Sequence, residues 1–387
     1  MNAAAGRVAL GLADLDRREL RRTRRVLDSP QGARVRVNGR TLVNFSSNDY
    51  LGLANDARLR QAAHHAIDEY GVGAGASALV SGHLRIHHEA EERFAAFGGF
   101  DRALLFGSGY LANLGILAAL ADREAHIFSD ALNHACLIDG AKLSRAQVSV
   151  YPHGDMGALA EGLAASRSPV RIVATDAVFS MDGDVAPVPQ LVELCERHDA
   201  WLVLDDAHGV GVLGATGHGT LQHFGVRSPR IVYMATLGKA LGGYGAFVAG
   251  GAQVIEWLVQ RARTYIYSTA LPPMAAAVAM RALELIDEDR SLLERLRSRI
   301  SELQSALQAQ GFRDGLTGTA IQPVILGSAQ RALQASARLA ELGLLVPAIR
   351  PPTVPDGTSR LRISLSAAHE AQDIELLVRA LADHLRP

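Results

Sequence analysis

Two short apolar runs, each ending in polar side chains, constrain the fold of this chain more than any other feature. The first run is WLVLDDAHG, which leads into Asp205, Asp206 and His208. The second is IVYMATLGKALGG, which leads into Thr236 and Lys239. Short apolar runs of this kind are typical of strands that are buried on both faces of a parallel sheet. Because ligands bind beyond the carboxyl ends of such strands, we expect these five side chains to converge on one site.

Lys239 is the strongest candidate for a reactive group. The chain contains 39 Lys and Arg residues, and only Lys142 and Lys239 are lysine. Arginine stays protonated, whereas a desolvated lysine can lose its proton and attack a carbonyl group. We interpret Lys142, in DGAKLSRA, as a surface residue. The apolar, Gly-rich setting of Lys239 favours a catalytic role instead.

A lysine and an acid at neighbouring strand ends suit pyridoxal 5'-phosphate (PLP). The lysine would hold the aldehyde of the cofactor, and the acid would keep its ring nitrogen protonated so that the ring accepts electrons. The run RALLFGSGYLANLGILAAL supplies a candidate phosphate site, since a strand over 103–106 meets Gly109 and Tyr110 and a helix follows. Free backbone N–H groups and the helix dipole at such a turn favour an anion. An ordinary strand-to-helix turn would also favour Gly and Ser.

Composition restricts the class of function. The formal net charge of −1 gives no support for nucleic acid or an anionic membrane as a partner. Cys136 and Cys195 are too few and too far apart for a disulfide framework, which fits a reducing cytoplasm. No segment approaches the ~20 apolar residues of a membrane span. We therefore expect a cytoplasmic enzyme that has neither a nucleic-acid nor a membrane partner.

Alternation of strand and helix patterns predicts an α/β fold with two domains after an N-terminal segment. The expected parts are an N-terminal helix and hairpin segment (1–45), a large cofactor-binding domain (46–280) and a small C-terminal α/β domain (281–387). In the first part, residues 11–27 predict a basic amphipathic helix, and Asn38-Gly39 predicts the turn of a hairpin. Residues 171–184 predict a buried strand whose last residues include Ser180. Residues 274–310 predict a helix.

Metal binding is not expected. The histidines of SGHLRIHH lie close together but lack acidic or Cys partners at ligand spacing. The acids of MDGD lack the spacing and the terminal Glu of a calcium loop. We interpret the first group as helix-surface histidines and the second as a turn at a strand end.

Several motifs, taken in their order along the chain, resemble those of the α-oxoamine synthases, a family of fold-type I PLP enzymes. They are NFSSNDYLGL, VFSMDGD, DDAHGVGVLG, TLGKALGG, YSTALPP and IRPPTVPDGTSRLR, and the resemblance runs from about Asn44 to Asp373. It implies a large domain built on a mostly parallel sheet, a smaller C-terminal α/β domain, and a homodimer with its active sites between subunits. One departure is Cys136, where the family often has Ser.

The resemblance implies how the cofactor ring is held. Lys239 would bind PLP covalently and act as base and acid at the substrate α-carbon. Asp205 would pair with the ring nitrogen, and His208 would bond the phenolic oxygen, with Ser180 nearby. His134, at the head of a helix, would stack on the face of the ring.

The resemblance also implies how the phosphate is bound. Gly109, Tyr110 and Thr236 would lie on the phosphate side of the cofactor. Ser268 and Thr269 would reach the phosphate from a partner subunit. These residues belong to the GSGY, ATLGK and YSTALPP segments.

For the substrates, the resemblance implies that Arg350 binds the carboxylate of the amino acid, which suits a bidentate guanidinium. An arginine of the first helix would hold the acyl substrate; its offset from NFSSNDY selects Arg22, and Arg21 is an alternative. Thr353 would line the acyl channel, and Asn48 would contact substrate.

Within the family, AIQPVILG, AIRPPTVP and Ala207 favour the biotin-pathway member over 2-amino-3-ketobutyrate CoA ligase, which tends to read DDSH. The implied reaction is a decarboxylating condensation of L-alanine with a pimeloyl thioester, either pimeloyl-CoA or pimeloyl-acyl-carrier protein. The sister reaction, with glycine and another acyl-CoA, is the nearest alternative.

Two alternatives are not enzymes. A binding protein could hold a nucleotide at the glycines of 71–75, but that run follows a helical pattern, whereas a dinucleotide fingerprint follows a strand. A membrane-associated scaffold could use residues 11–27. Both leave Lys239, Asp205 and His208 unexplained.

Overall fold

The computed structural model describes residues 3–312 and 315–385, in which strands and helices alternate. The helices are α1 (Ala3–Arg17), α2 (Ala57–Tyr70), α3 (Arg85–Gly98), α4 (Gly109–Leu120), α5 (Ala135–Ser144), α6 (Met156–Ala165), α7 (Val188–Arg197), α8 (Thr220–Phe224), α9 (Ala252–Arg261), α10 (Arg263–Ile266), α11 (Pro273–Glu288), α12 (Arg290–Ala309), α13 (Ala329–Glu341) and α14 (Ala371–His384). The strands are β1 (Arg34–Val37), β2 (Arg40–Asn44), β3 (Arg102–Phe106), β4 (Ala125–Asp130), β5 (Gln147–Tyr151), β6 (Val170–Asp176), β7 (Ala200–Asp205), β8 (Ile231–Thr236), β9 (Ala246–Gly250), β10 (Ile321–Gly327), β11 (Leu344–Leu345), β12 (Ala348–Ile349) and β13 (Ser359–Ser364).

The larger of two compact units comprises residues 48–180 and 184–296 and contains the main sheet. Its strand order is β3-β9-β8-β7-β6-β4-β5. The strands from β8 to β5 are parallel to their neighbours, whereas β9 is antiparallel to both β3 and β8. The predicted strand pair is therefore confirmed, since β7 and β8 are adjacent and parallel. Their carboxyl ends place Asp205 and Thr236 at the same edge of the sheet.

The strands of the main sheet carry apolar side chains, which are buried because helices cover the sheet. Its strands bury Ile172, Val203 and Val232 in one cluster together with Ile116 of α4 and Leu137 of α5. Each such side chain contributes roughly 1.5–3 kcal/mol when it is fully buried. Among the helices that cover this face, α4 and α5 each begin at the carboxyl edge of the sheet, so their first residues lie at the site.

The smaller unit comprises residues 1–47, 181–183 and 297–387. Its β1–β2 hairpin turns at Asn38 and Gly39, whose φ angles are 48° and 75°, as the Asn-Gly signal predicts. Strand β11 extends that hairpin in parallel with β2, and β10, β13 and β12 form a second small sheet.

The prediction of a helix over 11–27 is wrong in its bounds. Helix α1 spans Ala3–Arg17, and the chain leaves the helix where Glu19 takes a left-handed φ of 55°. The following run RRTRR sets like charges at helical spacing, which disfavours its continuation. Arg22 therefore lies beyond the helix, on an exposed non-helical segment.

Two further boundaries differ from the predictions. Strand β6 ends at Asp176, and the chain then folds back so that Val178 pairs with Val185, which leaves Ser180 in the hairpin rather than in the strand. The predicted helix over 274–310 is divided at Asp289 into α11 and α12. Within residues 3–312 and 315–385, no helix combines the length and apolar character needed to cross a bilayer.

Candidate active site

Lys239 and His208 form the centre of the site. Lys239 follows β8 and His208 follows β7, and Lys239 Nζ lies 2.7 Å from His208 Nε2. The other ring nitrogen, Nδ1, lies 2.6 Å from the hydroxyl of Tyr50. That hydroxyl donates to Asn48 Oδ1 at 3.2 Å. The imidazole thus links the amine of Lys239 to a buried hydroxyl, and Asn48 lies in the same cluster.

Asp205 lies at the end of β7 with its carboxylate buried. Its Oδ1 accepts from the amide of Ala207 at 2.9 Å, and its Oδ2 accepts from the side-chain amide of Asn113 at 2.7 Å. These two bonds fix the orientation of the carboxylate. Asp206, in contrast, bonds Thr220 and does not join this cluster.

His134 caps helix α5 beside Asp205. Its backbone N–H donates to Asp176 Oδ2 at 2.6 Å, and its Nδ1 lies 2.9 Å from Cys136 Sγ. Desolvation lowers the pKa of the His134 imidazole; the charge of Asp205 opposes this effect and that of Lys239 adds to it. A neutral, partly exposed aromatic ring is suited to stacking.

Asp176 is a second buried carboxyl group at this edge, paired in register with Asp205 across β6 and β7. Burial raises the pKa of Asp176 well above its ordinary value, and the charge of Asp205 raises it further. Two adjacent buried carboxyl groups resist simultaneous ionisation.

Gly109, Tyr110 and Thr236, three of the residues predicted for the phosphate, lie together where α4 begins and β8 ends. Ser108 caps this helix by accepting from Leu111 N at 3.2 Å. The N–H groups of Gly109 and Tyr110 lie in the first turn, where an α-helix leaves its amides without intrahelical acceptors. A methyl group built on Gly109 would lie 3.8 Å from Thr236 Cβ. The helix start and the end of β8 therefore form one cradle that is suited to an anion.

Other predicted phosphate residues have different contacts. Thr269 forms an isolated bridge with Ser77, and a small cavity of about 20 Å³ is lined by Gly107, Ser268 and Thr269, among others. The hydroxyl of Tyr110 donates to the carboxylate of Asp139. The side chain of Tyr110 is therefore directed toward α5, and only its backbone belongs to the cradle.

Arg350 and Thr353 lie in the smaller unit. The guanidinium of Arg350 donates to the carbonyl oxygens of Glu19 and Arg21, the second at 2.9 Å. Thr353 is exposed on the following turn, where its N–H donates to Arg350 O at 3.1 Å. Both residues, with Arg22, thus belong to the unit that contains the N-terminal segment.

The donor set of the larger unit fits PLP. Lys239 offers an amine for an aldehyde, and Asp205 offers a buried carboxylate for a pyridinium nitrogen. The first turn of α4 offers backbone N–H groups for a phosphate. In the part of the chain that the structure describes, no cluster of three or more His, Cys, Asp or Glu side chains has a geometry that could hold a metal ion.

Sequence reasoning missed three residues of the site: Asn113, Tyr50 and Asp176. Asn113 carried a weak signal, because it is a single polar residue within the apolar helix run YLANLGILAALA. Tyr50 lies within the NDY motif and Asp176 at the end of a strand that was predicted too long. Their partners come from distant segments, so only the fold brings them together.

Comparison with known proteins agrees with this geometry. Residues 40–381 match the family described as aminotransferase class I and II. An 8-amino-7-oxononanoate synthase from Janthinobacterium sp. (strain Marseille) is 53% identical over 387 residues, covering 98% of each chain. A serine palmitoyltransferase from S. paucimobilis with bound PLP and myriocin superposes with a TM-score of 0.91 at 28% identity, covering 98% of this chain and 96% of that one. An 8-amino-7-oxononanoate synthase from Francisella tularensis has a TM-score of 0.77 at 29% identity, with 88% and 97% covered.

Proposed function

This chain belongs to the aminotransferase class I and II family and, within it, to the 8-amino-7-oxononanoate synthases, and we propose a function for each part of its site accordingly. The enzyme is a PLP-dependent acyltransferase of biotin biosynthesis with the fold of the fold-type I PLP enzymes. We propose that it condenses L-alanine with a pimeloyl thioester, either pimeloyl-CoA or pimeloyl-acyl-carrier protein. The products are 8-amino-7-oxononanoate, CO2 and a free thiol.

The bound cofactor supplies an aldehyde that amines join and a ring that accepts electrons from the α-carbon. Lys239 removes the α-proton of alanine and later returns a proton to the same carbon. His208, 2.7 Å from Lys239 Nζ, orients that amine. Proton transfer by a positioned side chain contributes about 10²–10⁴-fold to a rate.

Asp205 keeps the ring nitrogen protonated, because a buried carboxylate beside it favours the positively charged form. His134 would support the face of the ring, and Ser180 with His208 would bond its phenolic oxygen. The N–H groups of Gly109 and Tyr110, with Thr236, bind the phosphate. The observation that carries this proposal is the convergence of Lys239, His208 and Asp205 at one edge of the sheet.

Arg350 is proposed to bind the carboxylate of alanine. Its present acceptors are two neutral carbonyl oxygens, and a carboxylate forms stronger, bidentate bonds with a guanidinium. Arg22, Thr353 and Asn48 are proposed to contact the substrates, and Arg21 is the alternative to Arg22.

We also propose a cytoplasmic homodimer to which Ser268 and Thr269 contribute across the subunit interface. Both cysteines are buried and unpaired, which suits a reducing compartment. Light scattering of the purified protein tests the dimer: a mass of twice the chain supports it, and a single-chain mass contradicts it.

The function is tested by incubating the PLP-loaded protein with L-alanine and pimeloyl-CoA, or pimeloyl-acyl-carrier protein. Mass spectrometry should detect 8-amino-7-oxononanoate, and free thiol should appear in equal amount. Lys239→Ala is the control and should form no product. Absence of product with both acyl donors, or full activity of Lys239→Ala, would contradict the proposal.

A further inference from the structure

We infer that Asn113 is a positioning residue that holds the Asp205 carboxylate in place for the ring nitrogen of PLP, an inference that rests on the proposed function. Asn113 lies in the middle of α4 and is 0% exposed. The other residues of this helix are Gly, Ala, Leu, Ile and one Tyr. A buried amide in such a setting costs free energy unless it forms hydrogen bonds, so its contacts indicate what it does.

The amide nitrogen of Asn113 has two acceptors. Nδ2 lies 2.7 Å from Asp205 Oδ2 and 3.0 Å from Cys136 Sγ. An amide NH2 group has two N–H donors, so both contacts can form at once. Cys136 is itself buried and lies 2.9 Å from Nδ1 of His134. Asn113 thus bonds both Asp205 and Cys136, and Cys136 in turn contacts His134.

The amide oxygen of Asn113, unpaired among the described residues, indicates that the hydrogen bond to Asp205 determines the orientation of the amide. Oδ1 is buried and has no hydrogen-bond partner within residues 3–312 and 315–385. Turning the amide over would place Oδ1 against Asp205 Oδ2, and two acceptors repel one another. The Asp205 carboxylate therefore fixes the orientation of the Asn113 amide, and the amide oxygen is left without a hydrogen bond in the part of the chain that the structure describes.

The neighbouring acid explains why Asp205 needs this donor. Asp176 faces Asp205 in register, and of two adjacent buried carboxyl groups one tends to keep its proton. Asn113 and the amide of Ala207 each donate to one oxygen of Asp205. These bonds restrict the rotation of the Asp205 carboxylate beside Asp176. Without Asn113, the carboxylate could turn toward Asp176 and would hold the ring nitrogen less firmly.

The test compares the affinity for PLP with that for an analogue whose ring nitrogen is replaced by carbon. Cofactor-free protein of full length is titrated with each compound, and the ratio of the two dissociation constants measures the interaction with the ring nitrogen. Wild type should prefer PLP. Asn113→Leu should lower this preference by about tenfold, as expected for one hydrogen bond to a charged group. Its affinity for the analogue should be unchanged.

Asn113→Ala makes the same comparison with a smaller side chain if Asn113→Leu does not fold. Ile116→Val is the matched control, because it changes a buried side chain of the same helix and leaves the hydrogen bonds to Asp205 intact. Its preference for PLP should equal that of wild type. An equal loss of affinity for PLP and analogue in the Asn113 variants would indicate a packing defect and overturn the inference, as would an unchanged preference.

Binding of PLP by the wild type separates a failure of the proposed function from a failure of the role of Asn113. Wild-type protein that does not bind PLP would overturn the proposed function and this inference with it. An active, PLP-binding wild type whose Asn113 variants keep their full preference would overturn only the role of Asn113.

Discussion

Asp205 and Asp206 are consecutive in the chain, yet their carboxylates point to opposite sides of the main sheet. Asp205 accepts from Asn113 on the side covered by α4, whereas Asp206 accepts from the backbone of Thr220 at 2.7 Å and the hydroxyl of Tyr233 at 2.6 Å. Successive side chains of a strand alternate in this way. Asp205 therefore belongs to the candidate active site, whereas Asp206 forms hydrogen bonds within the interior of the fold.

The matched variants Asp205→Asn and Asp206→Asn should separate these roles. Asp205→Asn should bind PLP but exchange the α-proton of L-alanine near the background rate, because an amide cannot hold a pyridinium proton. Asp206→Asn should keep the exchange and lose about 1–3 kcal/mol of stability, since its NH2 group faces other donors. NMR in deuterated water and thermal unfolding measure the two effects. Wild-type exchange in Asp205→Asn would refute its role.

Tyr50→Phe tests the link to His208. Removing the hydroxyl leaves Nδ1 of His208 without the bond at 2.6 Å, so the ring is held less firmly beside Lys239. We expect kcat/KM to fall about tenfold, in line with one buried hydrogen bond. Tyr70→Phe, at the end of α2, is the control and should leave kcat/KM unchanged. If both variants match wild type, the hydroxyl of Tyr50 has no part in catalysis.

Gly109→Ala tests the phosphate cradle. The added methyl group would lie 3.5 Å from Met234 Cε and 3.8 Å from Thr236 Cβ, which are ordinary contact distances. The cofactor-free protein should therefore unfold at the wild-type temperature. The methyl group should still crowd the phosphate and weaken PLP binding by about 1–3 kcal/mol, the usual cost of overpacking. Unchanged PLP affinity would place the phosphate elsewhere.

His153 should make the stability of the fold depend on pH. Its Nδ1 lies 3.0 Å from Asp130 and its Nε2 2.9 Å from Asp184, and these hydrogen bonds raise the pKa of His153 from 6.5 to about 10. The folded state holds this proton more tightly than the unfolded state does. The stabilisation is therefore complete below pH 6.5 and is lost as the pH rises through about 10.

Urea unfolding of wild type and His153→Gln across this range checks the effect. The difference in free energy of unfolding should be constant below pH 6.5 and shrink steadily toward pH 10. A difference that does not vary with pH would mean that the imidazole is not held in its charged form.

Local patterns predicted the strand pair, the hairpin at Asn38-Gly39 and the α4 helix start, because apolar period, turn chemistry and capping act over a few residues. The resemblance of motifs then assigned roles to Lys239, Asp205 and His208. Asn113 could not be predicted in this way. Its position within an apolar helix is typical of core, and its acceptor lies 92 positions away in the chain.

Element ends were predicted less well than element centres. Strand β6 ends at Asp176 because the chain turns back, with Gly183 at a φ of 75°. Helix α1 ends at Arg17, before the basic run over 21–25 that was expected to be helical. Ends of this kind depend on pairing and packing between distant segments rather than on local preference. For the same reason, the sequence did not indicate that Asp176 faces Asp205.

The visible absorbance of the purified, PLP-loaded protein, followed during titration with L-alanine and then glycine, shows whether Lys239 carries PLP for the condensation of L-alanine. We expect an absorbance band of covalently bound cofactor that changes mainly with L-alanine and that is absent from Lys239→Ala. A response to glycine alone would instead indicate a sister synthase. The absence of a covalently bound cofactor band, after PLP is added and the unbound PLP is removed, would contradict the role of Lys239.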